Sequence, residues 1–227
     1  MAGKVAEGGA PSQKTFRAAA NPEPLAEGGF VFRRLTILVA AVVLVAALAT
    51  PALAERVKVR VEGKTTTIFG SLEPTIVVPD PNALGALEAA SVVGEFYYHV
   101  NPGPFVNQIG RYPGVGFSGW AYKINGVSPP VGANQAPVKN GDTVLWYWTT
   151  FSEQGSTPTL LLRRRGKSNC YSVIAQNDAG TSTPAPGAVL NVDGRRVRAR
   201  SGRACVGKHR GLVRATAPNM VRSNALR

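Results

Sequence analysis

The sequence is poor in the residues that carry out chemistry. It holds two histidines, His99 and His209, two cysteines, Cys170 and Cys205, and 13 acidic residues against 26 Lys and Arg. No G-x-S-x-G, H-E-x-x-H, C-x-x-C or phosphate-loop glycine pattern occurs. Paired carboxylates for acid–base work need a shared cleft, and Glu88, Glu95 and Asp142 have no spacing that suggests one. His99 sits beside Tyr97 and Tyr98 and reads as a hydrogen-bonded strand residue rather than a metal or haem ligand. These absences exclude a recognisable enzyme and give no reason to expect a cofactor.

Long hydrophobic runs are also scarce, with one exception. Arg33-Arg34 precede an apolar stretch from Leu35 to Ala49, and Pro51-Ala52-Leu53-Ala54 follows. A basic start, a short apolar middle and an A-x-A end make an export signal. Cleavage after Ala54 would release an extracellular or envelope protein. Left uncleaved, Leu35–Ala54 is just long enough to anchor the chain. Residues 1–32 are rich in Gly, Ala and Pro with no apolar period, and residues 1–54 are read as a disordered leader plus signal. A start at Val31 would give the signal more compact proportions. Arg outnumbers Lys 18 to 8, which suits a bacterial chain from a GC-rich genome.

The aromatic residues are concentrated in one segment. Thirteen of the 17 Phe, Tyr and Trp residues lie between Glu55 and Glu153. Trp120-Ala121-Tyr122-Lys123-Ile124 and Thr143-Val144-Leu145-Trp146-Tyr147-Trp148 alternate with the period of a strand. Asn125-Gly126 closes the first and Asn140-Gly141 opens the second, and both dipeptides favour turns that need positive φ. Val57, Val59 and Val61 alternate with charged residues in a further strand. Thr65–Phe69 and Thr75–Val78 read as extended. Asp80-Pro81 reads as a helix start, with Leu84, Leu87 and Ala90 as the buried stripe.

The pattern W-x-Y-x-x-N-G, then G-D-x-V-x-W, resembles the β-grasp domain that closes the cobalamin carriers transcobalamin and intrinsic factor. It is carried by Trp120, Tyr122, Asn125, Gly126, Gly141, Asp142, Val144, Trp146 and Trp148. A Val57–Gly63 strand and an Ala83–Leu87 helix fit the same pattern. The resemblance covers roughly residues 55–150 and implies a mixed sheet crossed by one short helix. It also raises a cobalamin-like molecule as a ligand, although the helical barrel of the carriers has no counterpart here.

Between these strands lies Phe96–Phe117, aromatic but punctuated by Gly and Pro. It reads as a loop and as the best binding surface. Tyr98, Phe105, Tyr112 and Phe117, backed by Trp120, are the candidate ligand-binding residues for a small molecule or peptide.

Ser152–Pro158 has the composition of a linker, and the domains are drawn at 55–152 and 159–227 with residues 153–158 between them. Beyond the linker, short strand-like runs and the hairpin signal Asp193-Gly194 suggest a small β-sandwich. Its phrases resemble the immunoglobulin-like or transthyretin-like repeats of bacterial surface proteins, with the last strand only beginning near Arg227. The expected fold is mainly β with one short helix, a β-grasp followed by a sandwich. Cys170 and Cys205, the only cysteines of an exported chain, are expected to form one disulfide.

Charge divides sharply. From Leu160 to Arg227 there are 14 Lys or Arg against Asp178 and Asp193, whereas Glu55–Thr159 carries 7 basic and 8 acidic residues. Arg163-Arg164-Arg165 and Arg195-Arg196-Val197-Arg198 are the concentrated patches. On an exported chain they point to anionic cell-wall polymers or lipid headgroups rather than nucleic acid. The alternative is a solvated face enriched in Arg by composition. Two functions therefore stand open: an exported binding module, or a structural or adhesive envelope protein.

Overall fold

The computed structural model describes residues 54–103, 105–166 and 168–227. The export signal, the anchor alternative and the translation start all fall outside the described residues. Among those described, no helix is long and apolar enough to cross a membrane.

Valine alternation produces the first strand, β1 (Glu55–Glu62), in which Val57, Val59 and Val61 are fully buried. Its neighbours are β2 (Thr67–Phe69) and β3 (Thr75–Val78), both antiparallel to it. The two aromatic runs become β7 (Ser118–Ile124) and β8 (Thr143–Thr150), paired antiparallel without a register break. β8 then lies parallel to β1, with Val61 opposite Trp146. This five-stranded mixed sheet runs β2-β1-β8-β7, with β3 added beside β1. Asn125 and Gly126 both take positive φ (52° and 87°), as a two-residue turn between bridged Ile124 and Val127 requires.

One helix, α1 (Ala83–Gly94), crosses the sheet and buries Ala83, Ala86, Leu87 and Ala90. Its N-cap is Asn82, whose side chain accepts from the Gly85 N–H at 2.8 Å, and not Asp80. The reason is tertiary. The Ala83 and Leu84 N–H groups donate to the carbonyls of Ala136 and Ala133, so the 133–136 loop satisfies the helix start two residues later than Asp80-Pro81 suggests.

The Phe96–Phe117 stretch is not a loop. It forms a small antiparallel sheet of β4 (Tyr98–Asn101), β5 (Phe105–Ile109) and β6 (Tyr112–Pro113). Val106 and Ile109 face the same core as the helix, and Gly110 (φ 53°) turns the chain between β5 and β6. Glycine and proline here punctuate strands too short to show a period.

The second half is a β-sandwich. One sheet centres on β10 (Cys170–Gln176), which pairs along its length with β9 (Thr159–Arg164). On its other side lie β11 (Ser182–Pro184) and β14 (Arg203–Cys205). The other sheet runs in the order β13 (Arg195–Arg198), β12 (Val189–Val192), β15 (Val213–Thr216), β16 (Ala225–Leu226). Leu160, Leu162, Tyr171 and Val173 of the first meet Leu190, Val192, Val213 and Ala215 of the second in one core. Cys170 and Cys205 are directly opposite and form a disulfide. Asp193 and Gly194 supply the positive φ of the β12–β13 hairpin.

The described residues form one compact unit. Ser156, in the segment expected as a linker, donates from its N–H to Asp178 at 2.8 Å, and the Thr157 N–H donates to the Thr149 hydroxyl at 2.7 Å. A buried ionic cluster joins the halves. Glu62, wholly buried, accepts from Arg60 and Thr67 of its own sheet and from Arg214 and Arg222 of the sandwich. Sequence could not show this, because Arg222 lies 160 residues from Glu62 along the chain.

Candidate functional site

The aromatic sheet places four rings on one face. Trp120 is opposite Trp148, and Tyr122 is opposite Trp146. Trp120 and Trp148 meet edge to face at 5.8 Å, and Tyr122 tilts over Trp146 at 5.2 Å. Three of the four rings also have a polar anchor. The Trp120 indole donates to the Tyr112 carbonyl at 2.9 Å, Trp146 to the Ala83 carbonyl at 3.1 Å, and the Tyr122 hydroxyl to the Val131 carbonyl at 2.6 Å.

The opposite face of the same sheet bears Ala121, Lys123, Leu145 and Tyr147. Lys123 is wholly buried and donates to the carbonyls of Gln176 and Asn177 at 3.0 and 2.8 Å. Its ammonium lies 3.7 Å from the Asp178 carboxylate. Burial pulls Lys123 down to about 8, with Asp178 resisting. Burial works against the Asp178 carboxylate too, yet hydrogen bonds from Ser156 and the Lys123 charge outweigh it and hold its pKa below the ordinary value. Burial also pushes the Tyr147 phenol up to about 12.

A groove of ≈ 230 Å³ runs along the outer edge of β7. Its lining comes from both faces of the sheet: Trp120, Tyr122 and Trp146 on one, Tyr147 and Asp178 on the other. Phe105, Val131 and Phe151 close its sides. β7 ends the sheet, so among the described residues this edge has no partner strand. Ser118 exchanges backbone bonds with Val115, and Ile124 with Val127, which shows that both direct their N–H and C=O groups away from β8. Strand alternation then directs the N–H and C=O groups of Trp120 and Tyr122 the same way, along the edge. Of two other hollows, one of ≈ 310 Å³ has no aromatic lining and one of ≈ 330 Å³ has a single ring, Trp148, among mainly polar neighbours.

Of the residues expected to bind ligand, the groove unites Phe105, 74 % exposed, and Trp120, 8 % exposed. Tyr98 and Tyr112 pack against the core instead, and burial raises the Tyr98 pKa. The Tyr112 hydroxyl is engaged with Thr65 at 2.8 Å. Phe117, 82 % exposed, stands outside the groove. Sequence reasoning missed Val131, Phe151 and Asp178, which carry no local signal and arrive through loop placement and the packing of the sandwich.

The arginine patches separate by face. Arg163, Arg164 and Arg165 are all exposed, and Arg164 also turns to Tyr171, bonding its hydroxyl at 3.2 Å. Arg196 and Arg198 are exposed on the outer face of the other sheet, and Arg195 donates to the Lys208 carbonyl at 3.2 Å. His99 is exposed on β4, and the described residues contain no cluster of three His, Cys, Asp or Glu side chains able to hold a metal.

Residues 80–150 match a family model described as "Domain of unknown function (DUF4430)". No curated protein and no solved structure matches the chain.

Proposed function

We propose that this chain is an exported, non-enzymatic binding module whose ligand, a small molecule or the side chain and backbone of a peptide, lies along the β7 edge groove. One observation carries the reading: the unpaired backbone edge at Trp120 and Tyr122 runs beside an aromatic groove. Such an edge supplies hydrogen bonds to an extended ligand, while the rings supply apolar area and select what is held. The groove is small, so it takes one ring or one aliphatic side chain rather than a whole macrocycle. A cobalamin-like ligand, suggested by the resemblance to the carrier β-grasp domain, would therefore be gripped by an edge and not enclosed. The family match spans the helix, β7 and β8, which supports reading the groove as part of a recurring module. The disulfide suits an oxidising compartment.

The test is selection from a displayed library of random short peptides, with a parallel titration of cobalamin followed by tryptophan fluorescence. Bound sequences should carry an aromatic or branched aliphatic residue. Phe105→Ala and Phe151→Ala should each weaken them by about 1–3 kcal/mol. If no peptide is enriched and cobalamin gives no saturable change, the reading fails.

A further inference from the structure

The sandwich carries a basic surface that the groove does not use, and the sheet register makes it specific. Ser172 at the centre of β10 has Arg163 directly opposite on β9 and Arg203 directly opposite on β14. Tyr171 and Val173 on either side of Ser172 are buried, so Ser172 and both arginines point outward together. Directly opposed residues have Cβ atoms about 5 Å apart. Two guanidinium groups thus flank one hydroxyl in a single row.

The next row is locked covalently, because Cys170 opposite Cys205 forms the disulfide that fixes β14 to β10. A shallow cavity of ≈ 290 Å³ adjoins the row, lined by Arg165, Ser172, Ser182, Thr183, Ser201 and Arg203. Gly202 (φ 70°) lets the Ser201–Arg203 turn close on β10, where a Cβ would come within 2.8 Å of the Val173 carbonyl.

Among the described residues these cations have no anion of their own. The two acidic residues between Leu160 and Arg227 are occupied elsewhere. Asp178 serves Lys123 and Ser156, and Asp193 accepts the N–H groups of Arg210 and Gly211 at 3.1 and 2.7 Å. Among the described residues no ion pair involves Arg163, Arg165 or Arg203. Like charges held this way repel one another until an anion neutralises them.

We propose that the outer face of β9–β10–β14 binds phosphate groups of an anionic polymer, with Arg163 and Arg203 forking onto phosphate oxygens over the Ser172 hydroxyl. Phosphate suits the row better than carboxylate because it offers acceptor oxygens to donors converging from several directions. A polymer suits the patch because Arg165 and the hydroxyls of the cavity continue it beyond one phosphate.

The experiment is calorimetric titration of the purified full chain with sodium polyphosphate at constant ionic strength. Three variants are compared with the parent: Arg163→Gln/Arg203→Gln, Arg163→Lys/Arg203→Lys, and Arg196→Gln/Arg198→Gln on the opposite face. The first and third remove equal charge, so a diffuse electrostatic field weakens both alike. A built site loses about tenfold or more in the first, an intermediate amount in the lysine pair and less than about threefold in the third. Equal losses in the two glutamine pairs, or no saturable binding by the parent, overturn the proposal. Polyglutamate binding as tightly as polyphosphate overturns the phosphate assignment. Vesicles of phosphatidylglycerol that bind, against neutral vesicles that do not, while polyphosphate stays unbound, assign the face to a membrane surface and overturn it as well.

Discussion

The ammonium of Lys123 lies 3.7 Å from the Asp178 carboxylate, on the sheet face that packs against the sandwich. A charge so deeply buried is tolerated because the Gln176 and Asn177 carbonyls and the Thr159 hydroxyl also accept from it. The pair therefore fastens β7, the strand that carries the groove, to the second half of the chain.

Stability should depend on pH in a way that reports this lysine. Folded Lys123 releases its proton near pH 8, while the unfolded side chain holds its own to about 10.5. Between these values the unfolded state binds more protons, so stability rises with pH. Above about pH 10 the sign reverses at Tyr147, which stays protonated to about 12 when folded but ionises near 10 when unfolded. Urea unfolding from pH 7 to 11 should show the rise and then the fall. In Lys123→Met the rise should vanish and stability at pH 7 should drop by about 3 kcal/mol, because Asp178 and three oxygen acceptors lose their donor. An unchanged profile would mean that another group titrates there.

Glu62 holds three arginines together, and removing its charge should leave them in mutual repulsion. Glu62→Gln is expected to lose about 3–5 kcal/mol. Because Arg214 and Arg222 come from the sandwich, the loss should also weaken cooperation between the two hydrophobic cores. Calorimetry should then show a broadened or divided transition where the parent shows one. A loss below about 1 kcal/mol would show the cluster to be dispensable.

Core and groove rings should separate on substitution. Trp146 is 2 % exposed and anchored to the Ala83 carbonyl, so Trp146→Ala should cost about 3–5 kcal/mol. Phe105→Ala, at an exposed position, should change stability by less than about 1 kcal/mol. Tyr112, bonded to Thr65 and packed on Trp148, should behave as a structural residue despite its place in the aromatic stretch. Denaturant midpoints of the three variants decide this ordering.

Reduction tests the covalent link. Cys170 and Cys205 are 35 residues apart, and opening that loop should destabilise the chain by about 3–4 kcal/mol on the chain-entropy account. Denatured, unreduced protein should react with no alkylating reagent. Two equivalents of reaction would show the bond to be absent.

Much of the fold was legible wherever local rules and packing agreed. Valine alternation marked β1, aromatic alternation marked β7 and β8, and Asn125-Gly126 and Asp193-Gly194 marked their turns, because side-chain period and positive φ are properties of neighbouring residues. The pairing of the two cysteines followed from their being the only two. Strands of two to five residues, such as β5, β6 and β11, were hidden in stretches rich in Gly and Pro or too short to display a period.

Tertiary structure alone decided the rest. Asn82 displaced Asp80 as the helix cap because carbonyls from the 133–136 loop reached the first turn. The groove gained Val131, Phe151 and Asp178 from three separate stretches of chain. Arg163 and Arg203 came to flank Ser172, and Arg164 turned away, through sheet register. The sequence by itself determined which faces would be apolar and where the chain would turn. Which segments would meet depended on burying those faces together, a long-range condition that no local pattern encodes.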